Sequence, residues 1–271
     1  MRNEELRRRL DALYRRYDRR FVDPDPVQLV RAQRADEDRE VVGLVASALA
    51  FGGVAQIKRS IGGVLAALGP RPAASVRALE PRAFARRLAG FKHRWSDGRD
   101  VACLLFFARQ MLEQQGAVEG FFARGDDGRG DVGRALASFS ARALALDPGG
   151  LYGRGALPAE AGVRYFFPSP AGGSACKRLN LYLRWMARRD TVDLGVWRAV
   201  APARLVIPLD AHIQAIARRV RLTRYRSPGW AMATDITARL RRLDPLDPVK
   251  YDFALHRMGL FRRDEEIRSL R

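Results

Sequence analysis

The chain has 271 residues, 47% of them hydrophobic, which is enough to bury the core of one large or two small domains. Its 49 Lys and Arg against 30 Asp and Glu give a formal charge of +19, favouring a polyanionic partner, either nucleic acid or an anionic membrane. Two cysteines (Cys103, Cys176) and three histidines (His93, His212, His256) are too few for a disulfide scaffold or a four-cysteine cluster, and neither a metal site nor any other cofactor is expected.

The opening segment MRNEELRRRLDALYRRY places Leu6, Leu10, Leu13, Tyr14 and Tyr17 on one helical face and has no signal-type apolar stretch. Residues 39–51 predict a nearly continuous apolar helix. Gly52-Gly53 breaks it, and Ile57, Ile61, Val64, Leu65 and Leu68 resume the helical spacing. Residues 98–115 repeat the pattern around Leu104, Leu105, Met111 and Leu112. The glycine-rich stretch 125–130 reads as an exposed loop, and 147–173, with four prolines, as an irregular connection. Helices are then expected at about 174–188, 194–200, 211–221, 229–243 and 248–259. No alternating strand is evident, and LVIP at 205–208 is too short an apolar run to count as one. No apolar run reaches the roughly 18–20 residues that span a bilayer, so a soluble, cytoplasmic protein without a membrane partner is expected. An interfacial membrane role would rest on the charge alone.

Of the 49 basic residues only four are lysine: Lys58, Lys92, Lys177 and Lys250. Arginine stays protonated and cannot act as an amine nucleophile, so each surviving lysine is informative. Lys177 follows the turn Pro168-Ser169-Pro170-Ala171-Gly172-Gly173-Ser174-Ala175-Cys176 and opens the apolar stretch LNLYLRWMARRD together with Arg178. A glycine turn before a helix exposes backbone N–H groups that suit a phosphate, which makes Gly172, Gly173, Ser174 and Arg178 candidate contacts to a nucleic-acid backbone. Downstream, Ile207-Pro208-Leu209-Asp210-Ala211-His212 puts Asp210 where a helix N-cap is expected, and an ordinary cap is the plain reading of it taken alone.

Taken together, these two segments resemble the helix-hairpin-helix DNA glycosylases that remove 8-oxoguanine. Lys177 matches the family's nucleophilic lysine and Asp210 its catalytic aspartate, with 33 residues between them. That interval looks more like the archaeal-type 8-oxoguanine glycosylases. The runs GSACKRLNLYLRWM and DPVKYDFAL resemble a related bacterial family. The match is strong over about 165–260. The family's Leu-Pro-Gly-Val-Gly hairpin is missing, and Lys177 lies four residues after Gly173 instead of two.

The resemblance implies an all-α fold of two helical lobes with a central cleft. One lobe would cover about 39–200, including a hairpin at 168–188; the other would combine 1–38 with 211–271. It implies a monomeric, nucleoid-associated base-excision enzyme. Its partner would be double-stranded DNA carrying a damaged base, with single-stranded DNA as a second form. Lys177 would form an imine at the sugar C1′ while Asp210 stabilises the charge developing on the sugar. A flipped base needs a pocket that reads its edges and stacks its ring. The candidates are Gln56, Trp95, and the i, i+4 pair Asp252 and His256. Arg218, Arg219, Arg221 and Lys250 are candidate phosphate contacts, though a run of charge is also the ordinary composition of a solvated face. A non-catalytic helix-hairpin-helix DNA-binding protein, or a glycosylase for another damaged purine, would carry the same residues.

Overall fold

The computed structural model describes residues 3–153, 155–261 and 263–270. Among these, fourteen α-helices and a few 3-10 turns make up the regular structure. The exception is a two-residue antiparallel hairpin, β1 (Lys92–His93) with β2 (Ser96–Asp97). In chain order the helices are α1 (Asn3–Arg16), α2 (Val27–Arg31), α3 (Asp36–Ala48), α4 (Val54–Leu68), α5 (Pro72–Arg77), α6 (Pro81–Arg87) and α7 (Gly98–Gln115). They continue with α8 (Val118–Ala123), α9 (Gly133–Leu144), α10 (Lys177–Ala187), α11 (Ala211–Arg219), α12 (Trp230–Arg241), α13 (Asp252–Leu260) and α14 (Asp264–Ser269). No helix among the described residues is long and apolar enough to cross a membrane.

The chain forms two units. The terminal unit contains Met1–Asp23, Gly128–Gly133 and Pro170–Arg271, and the middle unit contains Pro24–Asp127 and Arg134–Ser169. The expected boundaries are thereby corrected. The segment carrying α10 joins the termini, with Arg184 ion-paired to Asp252 at the head of α13. The segment carrying α2 joins the middle unit because α2 packs on α3.

In the middle unit α7 is central, with α3, α5, α6 and α8 packed on it. Its limits follow from local chemistry. Asp97 and Asp100 form a reciprocal capping box at the start, and Gly116, at φ +77°, ends it. Glu40, buried on α3, reaches across to accept from the N–H groups of Val118 (3.0 Å) and Glu119 (2.6 Å), so α8 is capped from a distant helix. The break between α3 and α4 contains Gly52 at φ +98°.

In the terminal unit α10 is buried along its length from Leu179 to Ala187. The helix expected at 194–200 does not form. Gly195 adopts φ +58°, the N–H groups of Leu194 and Gly195 bond to Trp185 O, and that of Trp197 bonds to Met186 O at 2.8 Å. The chain therefore folds back along the end of α10 and satisfies its carbonyls. The 205–208 run is buried coil, anchored by the Ile207 N–H on Thr237 Oγ1 at 3.0 Å.

Helix α13 packs on α11 and α1. The approach of α13 to α11 is close enough that a Cβ built on Gly259 would lie 2.6 Å from His212 Cβ. Replacing Gly259 by Val should therefore force the helices apart and destabilise the protein by about 1–3 kcal/mol, measurable by urea denaturation.

Candidate active site

Lys177 is the first residue of α10 and is half-buried. The helix starts three residues later than the sequence pattern predicts. Cys176 holds left-handed dihedrals (φ 48°, ψ 36°), which a right-handed helix cannot propagate through. Its N–H bonds to Ser174 Oγ at 3.2 Å, its thiol lies 3.4 Å from Ser174 O, and Asn180 Nδ2 donates to Ala175 O at 3.0 Å. Burial pushes the Cys176 thiol up to about 11, so it is a packing group and not a thiolate nucleophile.

Gly172 and Gly173 are exposed, and a Cβ built on either would meet nothing within 4 Å. Gly173 needs its lack of a side chain for another reason, its φ of +78°. Its carbonyl accepts from the Trp230 N–H at 3.0 Å, tying the turn to the start of α12. Among the described residues, the stretch from 147 through the turn holds only 3-10 elements, Gly162–Phe166 and Pro170–Gly172. Arg178 is largely withdrawn from solvent, and burial pulls its guanidinium down to about 10.

Asp210 caps α11, and its Oδ1 accepts from the Ile213 N–H at 2.8 Å. Its Oδ2 lies 3.2 Å from His256 Nε2 on α13. The His256 ring in turn meets His212 edge-on, with centroids 5.3 Å apart. The cap fixes one carboxylate oxygen and the imidazole fixes the other, so the group is held in a single orientation.

Asp252, expected beside His256 in a base pocket, is instead turned into the core. It is 3% exposed, and its Oδ2 is ion-paired with Arg184 Nη1. Arg184 Nε also donates to Asp193 Oδ1 at 3.2 Å, and Arg188 is ion-paired with Asp193, Asp190 and Asp247. Two buried guanidiniums thus face four carboxylates. Asp252 Oδ1 has no hydrogen-bond partner among the described residues. Burial, reinforced by the negative charges of Asp210 and Asp193, outweighs Arg184 and pushes the Asp252 carboxyl up to about 7.

Lys250 is also corrected. It precedes α13 and its amine is consumed by Asp244 (2.7 Å) and Asp11 (3.0 Å), so it is not available to a phosphate. Arg219 is ion-paired with Asp264, whereas Arg218 and Arg221 are exposed.

Gln56 and Trp95 belong to the middle unit. Gln56 sits in the first turn of α4, with its side-chain oxygen facing Gly52. Trp95, at the tip of the β1–β2 hairpin, is 51% exposed and stacks on Phe51 at 4.7 Å, with Tyr165 at 5.8 Å. Buried His93 holds the hairpin in place, one ring nitrogen 2.9 Å from Phe51 O and the other 2.9 Å from Ser60 Oγ.

Residues 25–261 match the family model described as "Protein of unknown function (DUF2400)". The chain belongs to this family. No curated protein and no solved structure matches it. The family's description carries no chemistry, so the reading of this member rests on its residues. Its structure joins Asp210, His256, Asp252 and Arg184 into one network on α10, α11 and α13. Sequence reasoning missed Arg184 and Asp193. The available signal was an arginine pair, Arg184 and Arg188, at i, i+4 in an otherwise apolar helix.

Asp252 generates a pH dependence. The native state keeps a proton on Asp252 that the unfolded chain has already released, so this group's contribution to stability is full in acid and is lost as pH rises through about 7. The slope of unfolding free energy against pH between 5 and 8, from denaturant titrations, should flatten in Asp252→Asn. Removing Arg184 as Arg184→Met should cost about 3–5 kcal/mol, because buried carboxylates lose their counter-charge.

Proposed function

We propose that this family member is a DNA glycosylase with AP-lyase activity that excises 8-oxoguanine through an imine on Lys177. The observation that carries the reading is the fixed carboxylate of Asp210. It is held by a helix cap and by His256, in the same unit as a half-buried lysine at the head of α10. An amine opening a helix and a carboxylate locked in one orientation are the two groups this chemistry requires.

In this mechanism the Lys177 amine attacks the sugar C1′. The C1′–N9 bond breaks, its electron pair leaves with the base, and the base takes up a proton. Asp210 stabilises the positive charge developing on the sugar and accepts a proton from the attacking amine. Ring opening gives the imine between Lys177 and C1′. Loss of a proton from C2′ then expels the 3′-phosphate and nicks the strand. Trp95, within the middle unit, presents an exposed π-face backed by Phe51. The net charge of +19 supplies attraction to the polyanion. Asp252, buried against Arg184, serves the scaffold and not the recognition of a base edge.

Borohydride should trap a covalent complex between the wild-type protein and duplex DNA containing 8-oxoguanine, and Lys177→Gln should abolish it. Asp210→Asn should lower excision by at least a hundredfold while leaving the melting temperature nearly unchanged, because Asn caps a helix as well as Asp does. Trapping that persists without Lys177 would remove the amine from the mechanism. Salt-sensitive binding that ignores lesions, with no trapping at all, would mark a DNA-binding module.

A further inference from the structure

Away from Lys177 and Asp210, the terminal unit contains a cleft of about 470 Å³. Arg221, Arg239 and Arg242 line it over an apolar floor that includes Leu6, Leu222 and Leu243. Among the described residues no carboxylate lines this cleft, and none of the three arginines makes an ion pair or a side-chain hydrogen bond. Three exposed guanidiniums around one concavity give it a positive potential that no carboxylate among the described lining residues lowers. An anion would.

The backbone at Arg221 adds a second, independent observation. Helix α11 ends with the Leu222 N–H on Ala217 O at 2.7 Å and the Arg221 N–H on Arg218 O at 3.2 Å. This is the hydrogen-bonding pattern of a Schellman motif, whose left-handed position is ordinarily glycine. Here Arg221 occupies it at φ +59°. A side chain retained where glycine would be relaxed is a cost to folding, and such costs cluster at ligand sites.

We infer that this cleft is a binding site for a phosphate-bearing ligand. The guanidinium forks of Arg221, Arg239 and Arg242 grip the phosphate oxygens, and the leucine floor takes the adjoining sugar or ring. The volume lies within the range of small-ligand pockets and also suits a short stretch of nucleic-acid backbone. The same chemistry thus has two sources, a free phosphorylated compound and the phosphodiesters of DNA.

The test uses two lesion-free probes, so its outcome is separate from that of the borohydride experiment. Inorganic tripolyphosphate is titrated by calorimetry, and a fluorescein-labelled undamaged duplex by anisotropy across a salt series. The variants are Arg221→Gly alone and the triple Arg221→Gly, Arg239→Gln, Arg242→Gln. Arg221→Gly should raise the melting temperature while weakening binding, which separates loss of the site from loss of the fold. In the triple variant, a tenfold or larger loss for tripolyphosphate alone identifies a free phosphorylated ligand. A loss for the duplex, with its salt slope reduced by about two to three units, identifies DNA phosphates. Unchanged binding of both probes in the triple variant overturns the site.

Discussion

Arg184 is the residue on which the terminal unit turns. It projects from the buried face of α10 and holds Asp252 at the head of α13 and Asp193 in the segment that folds back behind α10. Through α13 the same tie reaches His256, and through His256 it reaches Asp210 on α11. The helix that begins with Lys177 and the helix that Asp210 caps are therefore connected through one guanidinium and one imidazole. A buried guanidinium is costly to desolvate and repays that cost only when its donors are matched to carboxylates, so the arrangement tolerates little displacement. Positional precision follows from that intolerance more than stability does.

The network is short of positive charge. Arg184 and Arg188 face Asp190, Asp193, Asp247 and Asp252, with Asp210 close enough to Asp252 to raise its affinity for a proton. The carboxylates do not share the deficit equally. Asp190 accepts from the N–H groups of Val192 and Asp193 and from the Tyr14 hydroxyl, and its carboxyl stays below the usual range. Asp252 has none of these additional donors and an unpartnered oxygen in the core, so it is where a proton can reside. The unit thereby responds to pH near neutrality through Asp252.

The aromatic and basic features lie elsewhere on the chain, and each is supported by its own local structure. Trp95 is presented by a two-residue hairpin that buried His93 braces from behind. Arg221 is presented by the left-handed end of α11. In both cases the backbone that presents an exposed side chain is held by local hydrogen bonds. That geometry lowers the ordering cost of meeting a ligand.

By itself the sequence determined the helical class, the limits of α7, the break at Gly52-Gly53, the capping role of Asp210 and the position of Lys177 at the head of a helix. Each of these is written within a turn or two of chain, in apolar spacing, cap residues or glycines. Tertiary structure alone decided that Asp252 belongs to the core, that Lys250 is spent on Asp11 and Asp244, and that 194–200 folds back instead of forming a helix. It also decided that α10 sits with the chain termini. The partners of Arg184 lie 9 and 68 residues away, and the pairs of Lys250 involve residue 11. Periodicity reports which face of a helix is apolar. It does not report which distant carboxylate will meet a buried arginine, because that pairing exists only once the helices have packed.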